Sequence, residues 1–142
     1  MTDSYPHFLP GRFRVVLGPQ SVPMAAKDEL GRRGEDLAAA WLEGLGLAVL
    51  ARNWRCSEGE LDIVATDRKV VVICEVKTRS GDRFGSPFEA VTQGKRRKLR
   101  RLAMLWVIDS EVKGFPPVRF DVIGVLWRPG EQPTIEHRAE AF

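Results

Sequence analysis

Apolar and polar residues recur along this chain with different periods, and the periods mark its elements. From Lys27 to Leu45 the apolar positions Leu30, Leu37, Ala38, Trp41, Leu42 and Leu45 form one helical stripe. Gly46 then supplies the stop. Leu47 to Arg55 reads as a first strand. Glu60 to Thr66 sets Leu61, Ile63 and Ala65 against Glu60, Asp62 and Val64, the period of a strand. Lys69 to Lys77 is almost continuously apolar, which marks a central strand buried on both faces. Thr66-Asp67-Arg68-Lys69 reads as the tight turn between these two, with Asp67 and Arg68 as a two-residue loop. Thr78 to Gly85 is expected to be a mobile loop. Ser86-Pro87-Phe88-Glu89 has the form of a helix start, with Ser86 capping, Pro87 in the first turn and Glu89 closing a capping box. That helix is expected to reach about Ile108, with a break near Gly94. Val118 to Leu126 reads as another strand, and Ile135 to Phe142 as a short terminal one.

The order is helix, three strands, helix and strand, so the expected class is α/β, a mixed central sheet flanked by helices. A chain of 142 residues suits one domain. Pro6, Pro10, Pro19 and Pro23 make residues 1–25 read as a flexible tail, with Arg12 to Leu17 extended, ahead of a single domain over 26–142. Trp41, Trp54, Trp106 and Trp127 are expected in the core rather than stacked on bases, since Trp41 and Trp106 fall on helical apolar faces.

Composition narrows the classes. The only cysteines, Cys56 and Cys74, form no CxxC, and there is no HxxxH, which argues against a disulfide scaffold or a structural zinc site. Both thiols are expected to be reduced. No apolar run reaches membrane-spanning length and the first residues lack a signal-peptide core, so the expected location is the cytoplasm, with no membrane partner. The net charge of +3 is too small to demand a polyanionic partner. Its distribution says more: Lys95-Arg96-Arg97-Lys98 and Arg100-Arg101 place six cations in seven positions.

The candidate chemistry lies on the two apolar strands. Asp62, Glu75 and Lys77 are charges set in β-branched surroundings, which is costly unless they pair, face water or hold an ion. Residues two apart share a strand face, so Glu75 and Lys77 point the same way. An even-length turn puts Asp62 on that face too, whereas a one-residue slip removes it. Two carboxylates and a backbone carbonyl such as that of Val76 suit Mg²⁺, with Lys77 beside the attacking water or the phosphate. A plain surface salt bridge gives the same loose pattern. Glu35, on the edge of the first helical stripe, is a further candidate ligand or supporting group, and an ordinary helix charge is its plainer reading. Glu60 ranks below Asp62. Gln93, Lys95, Arg96, Arg97 and Lys98 are candidate contacts to nucleic-acid phosphates, or else a solvated face. Asp121 either helps the site or pairs with Arg119.

Several stretches carry a resemblance: Gly31-Arg32-Arg33-Gly34-Glu35-Asp36-Leu37-Ala38, Asn53-Trp54-Arg55, Gly59-Glu60-Leu61-Asp62-Ile63-Val64 and Glu75-Val76-Lys77-Thr78-Arg79. Phe88-Glu89-Ala90-Val91 with Lys95, Arg119-Phe120-Asp121-Val122 and the terminal Ala141-Phe142 complete it. In this order they resemble the YraN family of bacterial proteins, over about residues 25–142. That family looks like a branch of the restriction-endonuclease-like, or PD-(D/E)xK, superfamily, close to archaeal Holliday junction resolvases. The resemblance implies an αβββαβ core and a metal-dependent phosphodiesterase site at Glu35, Asp62, Glu75 and Lys77. Leu61 stands where the superfamily name puts proline.

The expectation is therefore a Mg²⁺- or Mn²⁺-dependent nuclease acting on DNA, branched DNA among its candidate substrates. Asp62 and Glu75 would bind metal, Glu35 would support them, Lys77 would assist the water and Lys95 would hold the backbone. Resolvase-type cutting needs two sites, which makes a homodimer attractive. The rival readings are a nucleic-acid-binding protein without cleavage and a subunit of a larger DNA-processing complex.

Overall fold

The computed structural model describes residues 26–81, 85–110, 112 and 114–142. The expected tail over 1–25, including the extended Arg12 to Leu17, lies outside them. Among the described residues the order is α1 (Ala26–Gly44), β1 (Ala48–Cys56), β2 (Gly59–Thr66), β3 (Val71–Arg79), α2 (Gln93–Asp109), β4 (Val118–Leu126) and β5 (Thr134–Arg138). The strands form one sheet in the order β1-β2-β3-β4-β5. The β3–β4 pair is parallel and the other pairs are antiparallel, so the sheet is mixed. The expected αβββαβ order is thus observed, with β5 added at the edge.

α1 ends in a left-handed cap. Gly46 has φ 93°, its N–H reaches the Glu43 carbonyl at 2.9 Å, and the Leu47 N–H reaches the Leu42 carbonyl at 3.1 Å. The Ala38, Ala39 and Leu42 stripe packs on Ile63, Ala65, Val72, Cys74 and Ile123 of one sheet face. α2 covers the other face, where Leu99, Leu102, Ala103 and Trp106 meet Leu61, Val64, Ile73 and Val122. Each fully buried aliphatic side chain of these two layers contributes about 1.5–3 kcal/mol. No helix among the described residues is long and apolar enough to cross a membrane. Both cysteines are free thiols.

Four expectations are corrected. The β2–β3 turn holds four residues rather than two, since Thr66 pairs with Val71. Side-chain bonds widen it: Thr66 Oγ1 donates to the Val70 carbonyl, and Asp67 Oδ1 accepts from the Lys69 and Val70 N–H groups at 2.8 and 2.9 Å. The turn remains even, so the strand faces are kept. α2 begins at Gln93, not Ser86, and is not broken at Gly94. Ser86 Oγ accepts from the Phe88 N–H at 3.2 Å and closes a local turn, while Thr92 caps the helix by accepting from the Lys95 N–H at 3.3 Å. Thr78 and Arg79 belong to β3 rather than to a loop, and residues 82–84 of that expected loop lie outside the described ones. Trp41 is not in the core. It is 40% exposed, and its indole N–H donates to His137 Nδ1 at 3.0 Å. Trp54 and Trp106 are buried as expected, and Trp127 is half-buried beneath the Arg33 guanidinium, 4.2 Å from its ring centre.

Candidate active site

The site begins where two strands part. The β2–β3 ladder runs from Thr66 opposite Val71 to Ile63 opposite Cys74. One step further in the same register, Asp62 faces Glu75. There a side chain replaces the ladder bond: Asp62 Oδ2 accepts from the Val76 N–H at 2.9 Å. Asp62, Glu75 and Lys77 line one cavity of about 720 Å³, together with Lys95 and Lys98 of α2. The far wall is the β1–β2 turn at Ser57 to Gly59. Arg101 of α2 holds that turn by a two-pronged ion pair with the Glu58 carboxylate.

α2 and α1 bring the remaining groups. Lys95, in the first turn of α2, forms an ion pair with Glu75, and the Lys77 ammonium lies 3.5 Å from the same carboxylate. Glu75 is only 5% exposed, so these contacts dominate its surroundings. Glu35 comes from α1, which crosses the end of β3 closely. A Cβ at Gly34 would lie 2.7–2.8 Å from the Thr78 carbons. That approach brings the Glu35 carboxyl to the side chains of Asn53 and Asp62.

Three carboxyl groups this close cannot all hold full charge cheaply. Burial first, then the Glu75 charge, push the Asp62 carboxyl well above its ordinary range. Burial also pushes Glu75 up, but the hydrogen bond with Asp62 and the ammonium groups of Lys95 and Lys77 outweigh it and hold Glu75 low. Burial raises Glu35, with Arg52 opposing and Glu60 adding to it. Burial and the adjacent Lys95 loosen the Lys77 proton, whereas for Lys95 the bonds to Glu75 and Lys77 outweigh burial and tighten it. Of the two, Asp62 is thus the carboxyl that favours its proton and Glu75 the one that favours its charge, with both lysines around Glu75.

The other candidates divide between the cavity and the rest of the fold. Glu60 stays at the rim: it is exposed and paired with Arg55 at 3.0 Å, and both line the same cavity. Asp121 is fully buried in a structural role: it takes both Arg119 nitrogens at 2.9 and 3.0 Å and His137 Nε2 at 2.7 Å. Of the basic run, Lys95 and Lys98 line the cavity, while Gln93 and Arg97 are exposed outside its lining. Arg96 turns away, its Nε donating to the Val91 carbonyl at 3.1 Å and its guanidinium 5.3 Å from the Phe142 ring centre.

Sequence reasoning passed over two residues here. Asn53 touches Glu35 and has φ 50°, a left-handed conformation that asparagine tolerates; an asparagine inside a strand pattern was the available signal. Arg79 lies two residues beyond Lys77, with its Nε buried and unpaired. Only its place in the Glu75 to Arg79 stretch marked it.

The donor set around Asp62 and Glu75 is all oxygen, which suits a small hard cation. Among the described residues no three carboxylate, thiol or imidazole groups stand together as a cage. An ion here would therefore take the two carboxylates and complete its shell with water and phosphate oxygens, as Mg²⁺ commonly does. The crowding that makes charge on Asp62 costly beside Glu75 is what such an ion would relieve.

Comparison with known proteins places the sequence in a family. The family model described as "Uncharacterised protein family UPF0102" matches residues 34–125, a span that holds Glu35, Asp62, Glu75, Lys77 and Lys95. A UPF0102 protein of Arthrobacter sp. is 54% identical over 114 residues, covering 80% of this chain and 96% of its own length. One from Acidothermus cellulolyticus is 48% identical over 127 residues, covering 83% and 96%. One from Frankia casuarinae is 50% identical over 120 residues, covering 84% and 100%.

Proposed function

The chain belongs to the uncharacterised protein family UPF0102, the YraN group that its motifs resemble, and on that footing we propose that it is a metal-dependent nuclease hydrolysing DNA phosphodiester bonds. The observation that carries this reading is the convergence of Asp62, Glu75 and Lys77 in one open cavity with Lys95 and Lys98 at its edge. Asp62 and Glu75 would hold Mg²⁺ or Mn²⁺. When bound, such a cation stabilises negative charge on phosphate oxygens and makes a water more acidic.

The chain's own residues do the positioning. The Val76 N–H fixes Oδ2 of Asp62 and so aims its other oxygen. Glu35 of α1, itself held by Asn53 of β1, braces Asp62. Lys77, whose proton is loosened, orients the attacking water and takes up part of the charge that grows on the phosphate. Water gives up a proton to solvent and adds to phosphorus as the bond to the leaving oxygen breaks, and that oxygen takes a proton from solvent. Lys95 and Lys98 hold the strand by its phosphates.

Cleavage of linear, flapped and four-way DNA with Mg²⁺ or Mn²⁺ tests the reading. Glu75→Gln is expected to abolish cutting, and Lys77→Ala to slow it by about 10²-fold or more. Products at the parent rate from Lys77→Ala would remove that lysine from the chemistry. A non-cleaving nucleic-acid-binding protein is the second reading, favoured by the ion pairs that already engage Glu75. Salt-sensitive DNA binding with no metal-dependent product from any substrate selects it.

A further inference from the structure

Resting on the proposed function, we propose that Lys95 is a switching residue that neutralises Glu75 until a nucleic-acid phosphate draws its ammonium away, so that nucleic acid and divalent metal bind this site cooperatively.

The first observation is that Glu75 is engaged. Its carboxylate is almost wholly buried and meets both Lys95 and Lys77. A divalent cation and two ammonium groups cannot share one small carboxylate without strong repulsion. One lysine has to leave before the ion is well held. Lys77 is rooted in β3, two residues along the same strand from Glu75. Lys95 is rooted in α2 and reaches the carboxylate across the cavity from outside the sheet. With four rotatable bonds in its stem, Lys95 is the one able to turn outward.

The second observation is where Lys95 sits. A helix N-terminus favours anions, yet the first turn of α2 holds no acid and begins Gln93-Gly94-Lys95-Arg96. Lys95 therefore does not serve the helix. Its ammonium shares Oε2 of Glu75 with that of Lys77, so that carboxylate holds two like charges near each other. An incoming phosphate relieves this crowding of like charges, gains the favourable helix end and takes Lys95 with it. Glu75 is then left with Asp62 and a single lysine, which is the state suited to a cation. By linkage the effect is mutual: whatever phosphate adds to metal affinity, metal adds to nucleic-acid affinity.

The test measures binding rather than turnover. Free Mn²⁺ is titrated by electron paramagnetic resonance against the full chain, alone and with a DNA duplex of about 24 base pairs, after subtraction of the duplex alone. For the parent, DNA is expected to tighten Mn²⁺ binding about 10-fold or more. Lys95→Met is expected to bind Mn²⁺ about 10-fold more tightly than the parent without DNA, and to gain nothing further with it. Lys69→Met, which removes an equal charge from the distant β2–β3 turn, is expected to behave as the parent. Lys95→Gln, which keeps a hydrogen bond to Glu75 without the charge, repeats the comparison should the methionine variant not fold. Unchanged or weaker Mn²⁺ binding in the Lys95 variants without DNA overturns the switch. So does a DNA effect that survives in them, or an absence of Mn²⁺ binding throughout. DNA cleavage with additive binding sinks the switch and leaves the nuclease standing. Cooperative binding with no cleavage of any substrate does the reverse.

Discussion

Asp62 illustrates how a site residue acts against its own fold. Burial and the Glu75 charge raise its carboxyl well above the usual range. A raised carboxyl favours the folded state while protonated, and that advantage is lost as pH rises through the folded value. Glu75, held low, works in the opposite sense and adds stability above the ordinary carboxylate range. Asp62→Asn removes the first liability and keeps an oxygen for the Val76 N–H. The variant is expected to be more stable by about 1 kcal/mol near pH 8 in a chelating buffer, with metal binding lost. Thermal melts with EDTA and with Mn²⁺ check both halves: the parent should gain from Mn²⁺ and the variant should not. Residue identity at this scale was legible, since Asp62, Glu75 and Lys77 are charges where a strand pattern wants apolar side chains. The brace at Asn53 was not, because its role depends on a helix that lies far away in sequence.

Elements fix where those residues point, and close contacts between elements decide how well. Alanine at Gly34 gains about 1 kcal/mol of helix propensity in isolation. Here its Cβ would press on the Thr78 side chain, with three Thr78 atoms inside 3 Å. Gly34→Ala is therefore expected to destabilise the fold by about 1–3 kcal/mol and to displace Glu35 from Asp62. The double variant with Thr78→Ala should recover much of the loss, and urea unfolding of the full cycle measures the coupling. The β2–β3 turn gives a second prediction. Backbone bonds from Val70 and Lys69 hold the Asp67 carboxyl below its ordinary value. Stability from such a group is present above the unfolded value and lost as pH falls through the folded one. The melting-temperature gap between the parent and Asp67→Ala should thus close as pH falls below about 4. The strands were legible because apolar alternation dictates them directly. The turn width and the start of α2 were not, since Thr66, Asp67, Ser86 and Thr92 all bond nearby backbone, and sequence alone does not rank those competing local bonds.

At the scale of the whole molecule the question is which positive charges remain for a polyanion. The run from Lys95 to Arg101 reads as six equivalent cations in the sequence, and the fold makes them unequal. Arg101 is neutralised by Glu58, Arg96 and Arg100 lie over the Phe142 ring, and Lys95 is bound to Glu75. Phe142 can play that part because the Ala141 N–H bonds the Phe120 carbonyl at 2.7 Å and the Phe120 and Phe142 rings stack 5.0 Å apart. The chain's last residues thereby help decide where the positive face lies, a long-range effect no local pattern displays. Lys98 is different: it is exposed, lines the cavity and extends over the Gly59 turn. Each phosphate neutralised by a cation adds about one to the slope of log affinity against log salt. Lys98→Met should therefore lower that slope by about one and weaken DNA binding whatever the sequence. Arg101→Met removes the same formal charge from the same helix, yet its partner in the free protein is already an anion. Its slope should stay at the parent value, and equal slopes for the two variants would mean that nucleic acid meets α2 along its whole basic run rather than at the cavity.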